Sequence, residues 1–194
     1  MNRTLILASN SPRRKELLKS AGFDYTVIVS DYSENSTDND PITTSVNNAA
    51  GKAKTVFDSL TDAEKQNAVV LGADTVVCYD KKILGKPIDE ADAENTLNAL
   101  SGKTHSVITG FAAVCSEKIK TGYTVSEVTF ESLSDKLVKD YVKTGLPMDK
   151  AGSYGIQDGF PLVKKYSGSF DNIVGLPVKE VSELLKEFGI TPRG

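Results

Sequence analysis

Two rhythms of apolar residues run through this chain: short unbroken runs bounded by polar clusters, and longer stretches in which apolar positions return every third or fourth residue. The first predicts buried strands, and the second predicts helices that bury one face. Residues 4–8 (TLILA) form a run that stops in the cluster SNSP, so a strand leads into a loop. A helix follows at once. Ser11 is a good N-cap, Pro12 suits the first helical position, and Leu17, Leu18 and Ala21 make a stripe that Gly22 ends. Residues 25–29 read as a second strand, and residues 30–40 as a polar, acidic loop without periodicity. Asp40 and Pro41 then open a helix to about Leu60, with Val46, Ala49, Ala53, Val56 and Leu60 on one side.

The strongest strand signal is residues 68–79 (AVVLGADTVVCY), broken only by Gly72, Asp74 and Thr75. Asp80, Lys81 and Lys82 read as a hairpin turn into Ile83 and Leu84, which Gly85-Lys86-Pro87 ends. Asp89 caps a predicted helix over 90–100, strands at about 106–114 and 123–130 flank a polar turn, and Ser134 caps a helix to Val142. Residues 150–159 hold three glycines and no periodicity, which predicts a loop that approaches something closely. Residues 160–166 suggest a last strand, and Pro177 opens a C-terminal helix lined by Val181, Leu184, Leu185 and Phe188. Helices interspersed with strands predict an α/β fold, and the hairpin-like pairs at 68–84 and 106–130 predict a mixed sheet. A wholly parallel, doubly wound sheet is the alternative.

Composition narrows the functional classes. A chain of 194 residues, 39% of them hydrophobic, suits one domain over 1–194 or two closely packed lobes. With 23 Lys and Arg against 26 Asp and Glu, it has no global basic face for nucleic acid or an anionic membrane. Its longest apolar stretches are about ten residues, well short of the roughly 20 that span a bilayer, and no signal-peptide core precedes them. The cytoplasm is the expected location, where Cys78 and Cys115, both in apolar company, should be free thiols.

Candidate chemistry lies in a few polar residues at element ends. The loop from Ser9 to Arg14 joins a strand to a helix N-terminus, where unpaired N–H groups favour an anion. Two arginines in a first turn oppose the helix dipole unless an anion compensates them; a capped helix with two solvated arginines is the plainer alternative. Asp74 inside an apolar run must be salt-bridged, metal-bound or at a strand end, and Gly72 before it suggests a bend opening on a pocket. Lys86 suits phosphate contact or simple exposure, Glu34 taken alone reads as solvated, and Gln157 suits a base edge or a brace for its own loop. His105 is the sole histidine, so a His-based zinc site or a Ser-His-Asp triad has almost no material. Oxygen-ligand chemistry remains: carboxylates for a hard divalent cation, with Arg, Lys and hydroxyl groups for phosphate.

Eight segments in order, LILASNSPRRKELL, the isolated Glu34, GKA at 51–53, GADTVV at 72–77, ILGKP at 83–87, LSGKTHSVITG at 100–110, DKAGSYGIQ at 149–157 and GSFDNIVGLP at 168–177, resemble the Maf family of nucleoside triphosphate pyrophosphatases, also called septum-formation proteins. The likeness spans nearly the whole chain. It implies an elongated mixed α/β fold with flanking helices and two lobes around a central cleft, and a homodimer. It also implies hydrolysis of a nucleoside triphosphate to the monophosphate and diphosphate, with water attacking the α-phosphorus and Mg²⁺ or Mn²⁺ as cofactor. Carried over by motif, Ser9, Ser11, Arg13, Arg14 and Lys52 fall to the substrate, Asp74, Glu34 and Lys86 to catalysis with Asp74 as proton acceptor, and Glu34 and Asp74 to the metal. The stretch YGIQ resembles the branch that cleaves dTTP and UTP, with Arg13, Thr75 and Gln157 as specificity positions. Rival readings are an ITP/XTP pyrophosphatase and a non-catalytic, nucleotide-binding regulator of septum formation. The chain departs from the family's pattern at Asn10, at Gly51 and in the short segment 158–160 after YGIQ.

Overall fold

The computed structural model describes residues 3–34 and 40–193; residues 35–39 of the predicted acidic loop lie outside the described residues. Six strands run in the order β2 (Thr26–Val27), β1 (Thr4–Leu7), β3 (Ala68–Tyr79), β5 (Thr104–Val114), β6 (Ile119–Phe130) and β7 (Val163–Ser167). A seventh, β4 (Lys82–Leu84), folds back on the far end of β3. β1 is parallel to both β2 and β3, and every other pairing is antiparallel, so the sheet is mixed as expected. The β3–β4 hairpin turns through Asp80 and Lys81, both at positive φ, as a two-residue turn of matching twist requires.

Among the described residues seven α-helices flank the sheet: α1 (Pro12–Ser20), α2 (Pro41–Ser59), α3 (Asp62–Lys65), α4 (Glu90–Leu100), α5 (Asp135–Val142), α6 (Phe170–Val174) and α7 (Val178–Lys186). Ser11, Asp40, Asp89 and Ser134 cap their helices through side-chain oxygens, as their sequence context predicts. The long strands β3, β5 and β6 carry three core clusters. At one end, Leu5, Leu7, Leu71 and Phe111 pack with Leu18 of α1 and Leu185 of α7 on one face, while Ile6, Val70 and Ala112 pack with Ala49 and Val56 of α2 on the other. At the other end, Val77, Val107 and Phe130 pack with Leu97 and Leu100 of α4 and Val138 and Tyr141 of α5. Two lobes thus share one sheet.

The structure corrects several details. Gly72 does not bend its strand, because β3 runs unbroken through it. Its role is clearance: a β-carbon there would overlap the Ala49 carbonyl oxygen, and one at Gly110 would overlap the Ser45 backbone. These two glycines let α2 sit directly on the sheet. The second strand contracts to two residues, and the last begins at Val163 rather than 160, where the β6 register shifts. Short α3 and α6 give too few residues for a periodic signal. Both cysteines are free, Cys115 buried and Cys78 half-buried.

Candidate active site

A gap in the sheet creates the site. β1 pairs with β3 only as far as Leu71, and β4 joins β3 from Val77, so residues 72–76 on that edge have no strand partner among the described residues. A cleft of about 710 Å³ opens along this stretch. Successive strand residues face opposite sides of a sheet, so Asp74 faces α2 while Thr75 faces α1 and α6. All ten sequence candidates line this one cleft: Ser9, Ser11, Arg13, Arg14, Glu34, Lys52, Asp74, Thr75, Lys86 and Gln157.

Asp74 is paired, yet open to the cleft. Lys52 Nζ lies 2.7 Å from its Oδ1, and Asn48 Nδ2 donates to its Oδ2 at 3.0 Å. Asn48 and Lys52 are one turn apart on α2, and the clearance at Gly72 and Gly110 brings that turn onto the carboxylate. Lys52 Nζ also lies 2.7 Å from Glu34 Oε1, so one ammonium joins two carboxylates. Partial burial would raise the Glu34 carboxyl, but its hydrogen bond and charge pairing with Lys52, with Lys86 and Arg14 nearby, hold it below the usual range. The Tyr32 ring occupies the space where a side chain at Gly51 would stand, which brings the Glu34 segment across α2. Among the described residues no three His, Cys, Asp or Glu side chains cluster. The converging carboxylates, and the buried Asn48 Oδ1 without a hydrogen-bond partner, nonetheless match the sparse oxygen set of a cation shared with phosphates.

The two arginines differ in kind, and neither is simply solvated. Arg14 donates through Nε to the Gly175 carbonyl at 2.8 Å, through Nη2 to Thr75 Oγ1 at 3.1 Å and through Nη1 to Ser9 Oγ at 3.3 Å. Burial lowers its pKa, with the Asp74 charge opposing that. Protein acceptors, rather than a required anion, therefore compensate this cation at the start of α1. Thr75 is held in turn by the Thr109 hydroxyl at 2.9 Å. Among the described residues Arg13 pairs with the exposed Asp149, at 2.9 Å, a pairing that a polyphosphate can displace. Lys86 is exposed at the cleft wall.

The wall carrying Gln157 holds residues the sequence reading did not single out. Buried Lys150 donates to the Leu146 carbonyl at 2.5 Å and lies 2.9 Å from Asp149 and 3.4 Å from Asp158. Tyr141 donates to Asp158 at 2.6 Å and accepts from the Gly155 N–H at 3.0 Å. Burial and then the Asp158 bond push its phenol far above the ordinary range, so it stays a donor. Behind this wall His105 Nε2 meets Tyr154 Oη at 2.8 Å, and burial lowers the imidazole to about 4. A helical spacing of four from Lys52 is the one sequence signal that could have found Asn48.

The sequence model of a family described as Maf-like protein matches residues 4–188. This chain belongs to the Maf family. Among its relatives, a Bacillus pumilus (strain SAFR-032) protein named dTTP/UTP pyrophosphatase is 44% identical over 191 residues, covering 97% of this chain and 98% of the relative. Proteins of the same name from Bacillus cereus (strain AH820) and Bacillus mycoides (strain KBAB4) are each 44% identical, covering 97% and 96% of both chains respectively. The mixed sheet with flanking helices and a cleft between two lobes is the Maf architecture that the motifs implied. No helix among the described residues is long and apolar enough to cross a membrane.

Proposed function

We propose that this Maf protein hydrolyses dTTP and UTP to the nucleoside monophosphate and diphosphate. One observation carries the reading: the linked Glu34–Lys52–Asp74 cluster shares a single cleft with Arg13, Lys86 and Gln157. The pyrimidine substrates follow from the names of relatives that match it over nearly their whole length. Asp74 accepts a proton from water as the water oxygen bonds to the α-phosphorus. The bond from that phosphorus to its bridging oxygen breaks, and the diphosphate leaves with the electron pair. Arg13, Lys52 and Lys86 meet the growing negative charge, each worth about 2.7–4 kcal/mol by analogy with other preorganised electrostatic stabilisers. Arg14, already committed to Ser9, Thr75 and Gly175, fixes the loop from Ser9 to Ser11 around the phosphates. Glu34 and Asp74 would hold Mg²⁺ or Mn²⁺, which when bound supplies charge neutralisation to the triphosphate. A homodimer in the cytoplasm belongs to the same reading, with light scattering as the test of assembly.

Diphosphate release from a panel of dTTP, UTP, CTP, ATP, ITP and XTP, with Mg²⁺ or Mn²⁺, tests the function. Preference for dTTP and UTP is expected. Preference for ITP and XTP would make it a purine house-cleaning enzyme, and binding without turnover would make it a regulator. Asp74→Asn should lower turnover by roughly 10²–10⁴-fold, the scale of a lost general base, with thermal melting reading separately the stability lost with its Lys52 pairing.

A further inference from the structure

Asp158 stands out because nothing in the proposed hydrolysis uses it. It lies in the segment after YGIQ where the chain departs from its family's pattern, and its side chain is only 7% exposed. Three groups hold the carboxylate: the Tyr141 hydroxyl at 2.6 Å, the Lys150 ammonium at 3.4 Å, and Gln157 Nε2 at 3.1 Å. Gly155 leaves room for this arrangement, since a β-carbon there would come within 2.7 Å of both Asp158 oxygens and of Gln157 Nε2.

The chemistry of the contact fixes which way the Gln157 amide points. An ionised carboxylate accepts hydrogen bonds and donates none, so it can face only the NH₂ end of an amide. With that end tied to Asp158, the carbonyl oxygen is the end left for a ligand in the cleft that Gln157 lines. Uracil and thymine carry a ring N–H between two carbonyls, whereas cytosine presents a bare acceptor nitrogen at the same position. A carbonyl acceptor pairs with the first and opposes the second.

We propose that Asp158 is a positioning residue that locks the Gln157 amide, and thereby makes the cleft select pyrimidine bases with a ring N–H over cytosine. This rests on the pyrimidine triphosphate reading above. In Asp158→Asn the Tyr141 hydroxyl and the Lys150 ammonium keep the new amide's oxygen on their side, so its NH₂ faces Gln157 and the Gln157 amide turns over. The ratio of kcat/KM for UTP over CTP should fall about tenfold, the worth of one oriented hydrogen bond, through a higher KM for UTP with kcat nearly unchanged.

The experiment measures that ratio for wild type, Asp158→Asn, Gln157→Ala and the double variant, with melting temperatures alongside. Because Asp158 acts through Gln157, adding Asp158→Asn to Gln157→Ala should change the ratio no further. Gly155→Ala, which wedges the pair apart at a backbone conformation open to alanine, should reproduce the loss and reports even if Asp158→Asn fails to fold. Wild-type turnover of UTP with an unmoved ratio in Asp158→Asn or Gly155→Ala overturns the lock alone. An additive double variant overturns its action through Gln157. No turnover of UTP by wild type overturns both this inference and the function it rests on.

Discussion

Replacing Lys52 with methionine removes the one ammonium that joins Asp74 and Glu34, while the apolar stem still fills its place. The side chains of Lys52 and Asp74 are 12% and 9% exposed, so the pair is largely desolvated. Deleting one partner of such a pair costs about 3–5 kcal/mol, because the other charge is left uncompensated. The lower end applies here, since Asn48 still donates to Asp74 and the half-exposed Glu34 can turn to water. A loss of about 3 kcal/mol should lower the melting temperature by about 6–12 °C in a chain of this size. Urea denaturation and thermal melting measure it. Mg²⁺ or Mn²⁺ should then stabilise Lys52→Met more than wild type, because the ammonium no longer occupies the space between the carboxylates. Saturation to a hundred times Kd is worth about 2.7 kcal/mol. A loss below about 1 kcal/mol would mean that solvent screens the pair. Equal stabilisation of both proteins by the cations would remove Glu34 and Asp74 as the cation's ligands.

Further outcomes concern the sheet and its buried histidine. Gly72→Ala should destabilise the fold by about 1–3 kcal/mol or more through overpacking against α2, and should depress turnover with it; calorimetry and a UTP assay read the two together. His105 has its pKa lowered to about 4 from an ordinary value near 6.5, so the unfolded chain binds more protons between those values. Stability should therefore be complete above about pH 6.5 and fall by up to about 3 kcal/mol as the pH drops toward 4. His105→Gln, which keeps a hydrogen-bonding partner for Tyr154, should flatten that slope in urea titrations; an unchanged slope would place the acid sensitivity elsewhere.

Local patterns in the sequence carried most of the fold. The caps at Ser11, Asp40, Asp89 and Ser134 and the long run of β3 depend on neighbours within a few residues, and they form as those neighbours dictate. The ten candidate residues meet in one cleft, drawn from the loop and first turn between β1 and α1, the middle of α2 and β3, and the loops that carry Glu34, Lys86 and Gln157. Their partners were not legible, because they come from distant chain segments. Arg14 reaches a carbonyl 161 positions away, so nothing near it distinguishes a committed guanidinium from a solvated one. The meaning of Gly72 was likewise hidden, since its neighbour in space is the turn of α2 around Ala49, and only the pairing of Asp74 with Gly110 reveals a second glycine beside it. Asp158 reads as an ordinary loop acid until Tyr141 and Lys150 surround it.

The bare patch at Gly72 and Gly110 has an engineering consequence. The depth at which α2 beds into the sheet acts as a ruler, so the separation of acid from ammonium is set by main-chain packing and not by how two flexible side chains happen to rest. Redesign of substrate range can therefore rework the loop wall that carries Gln157 while leaving that ruler untouched. Any added methyl beneath the helix would instead miscalibrate every reaction the cleft performs, whichever base it had been rebuilt to accept.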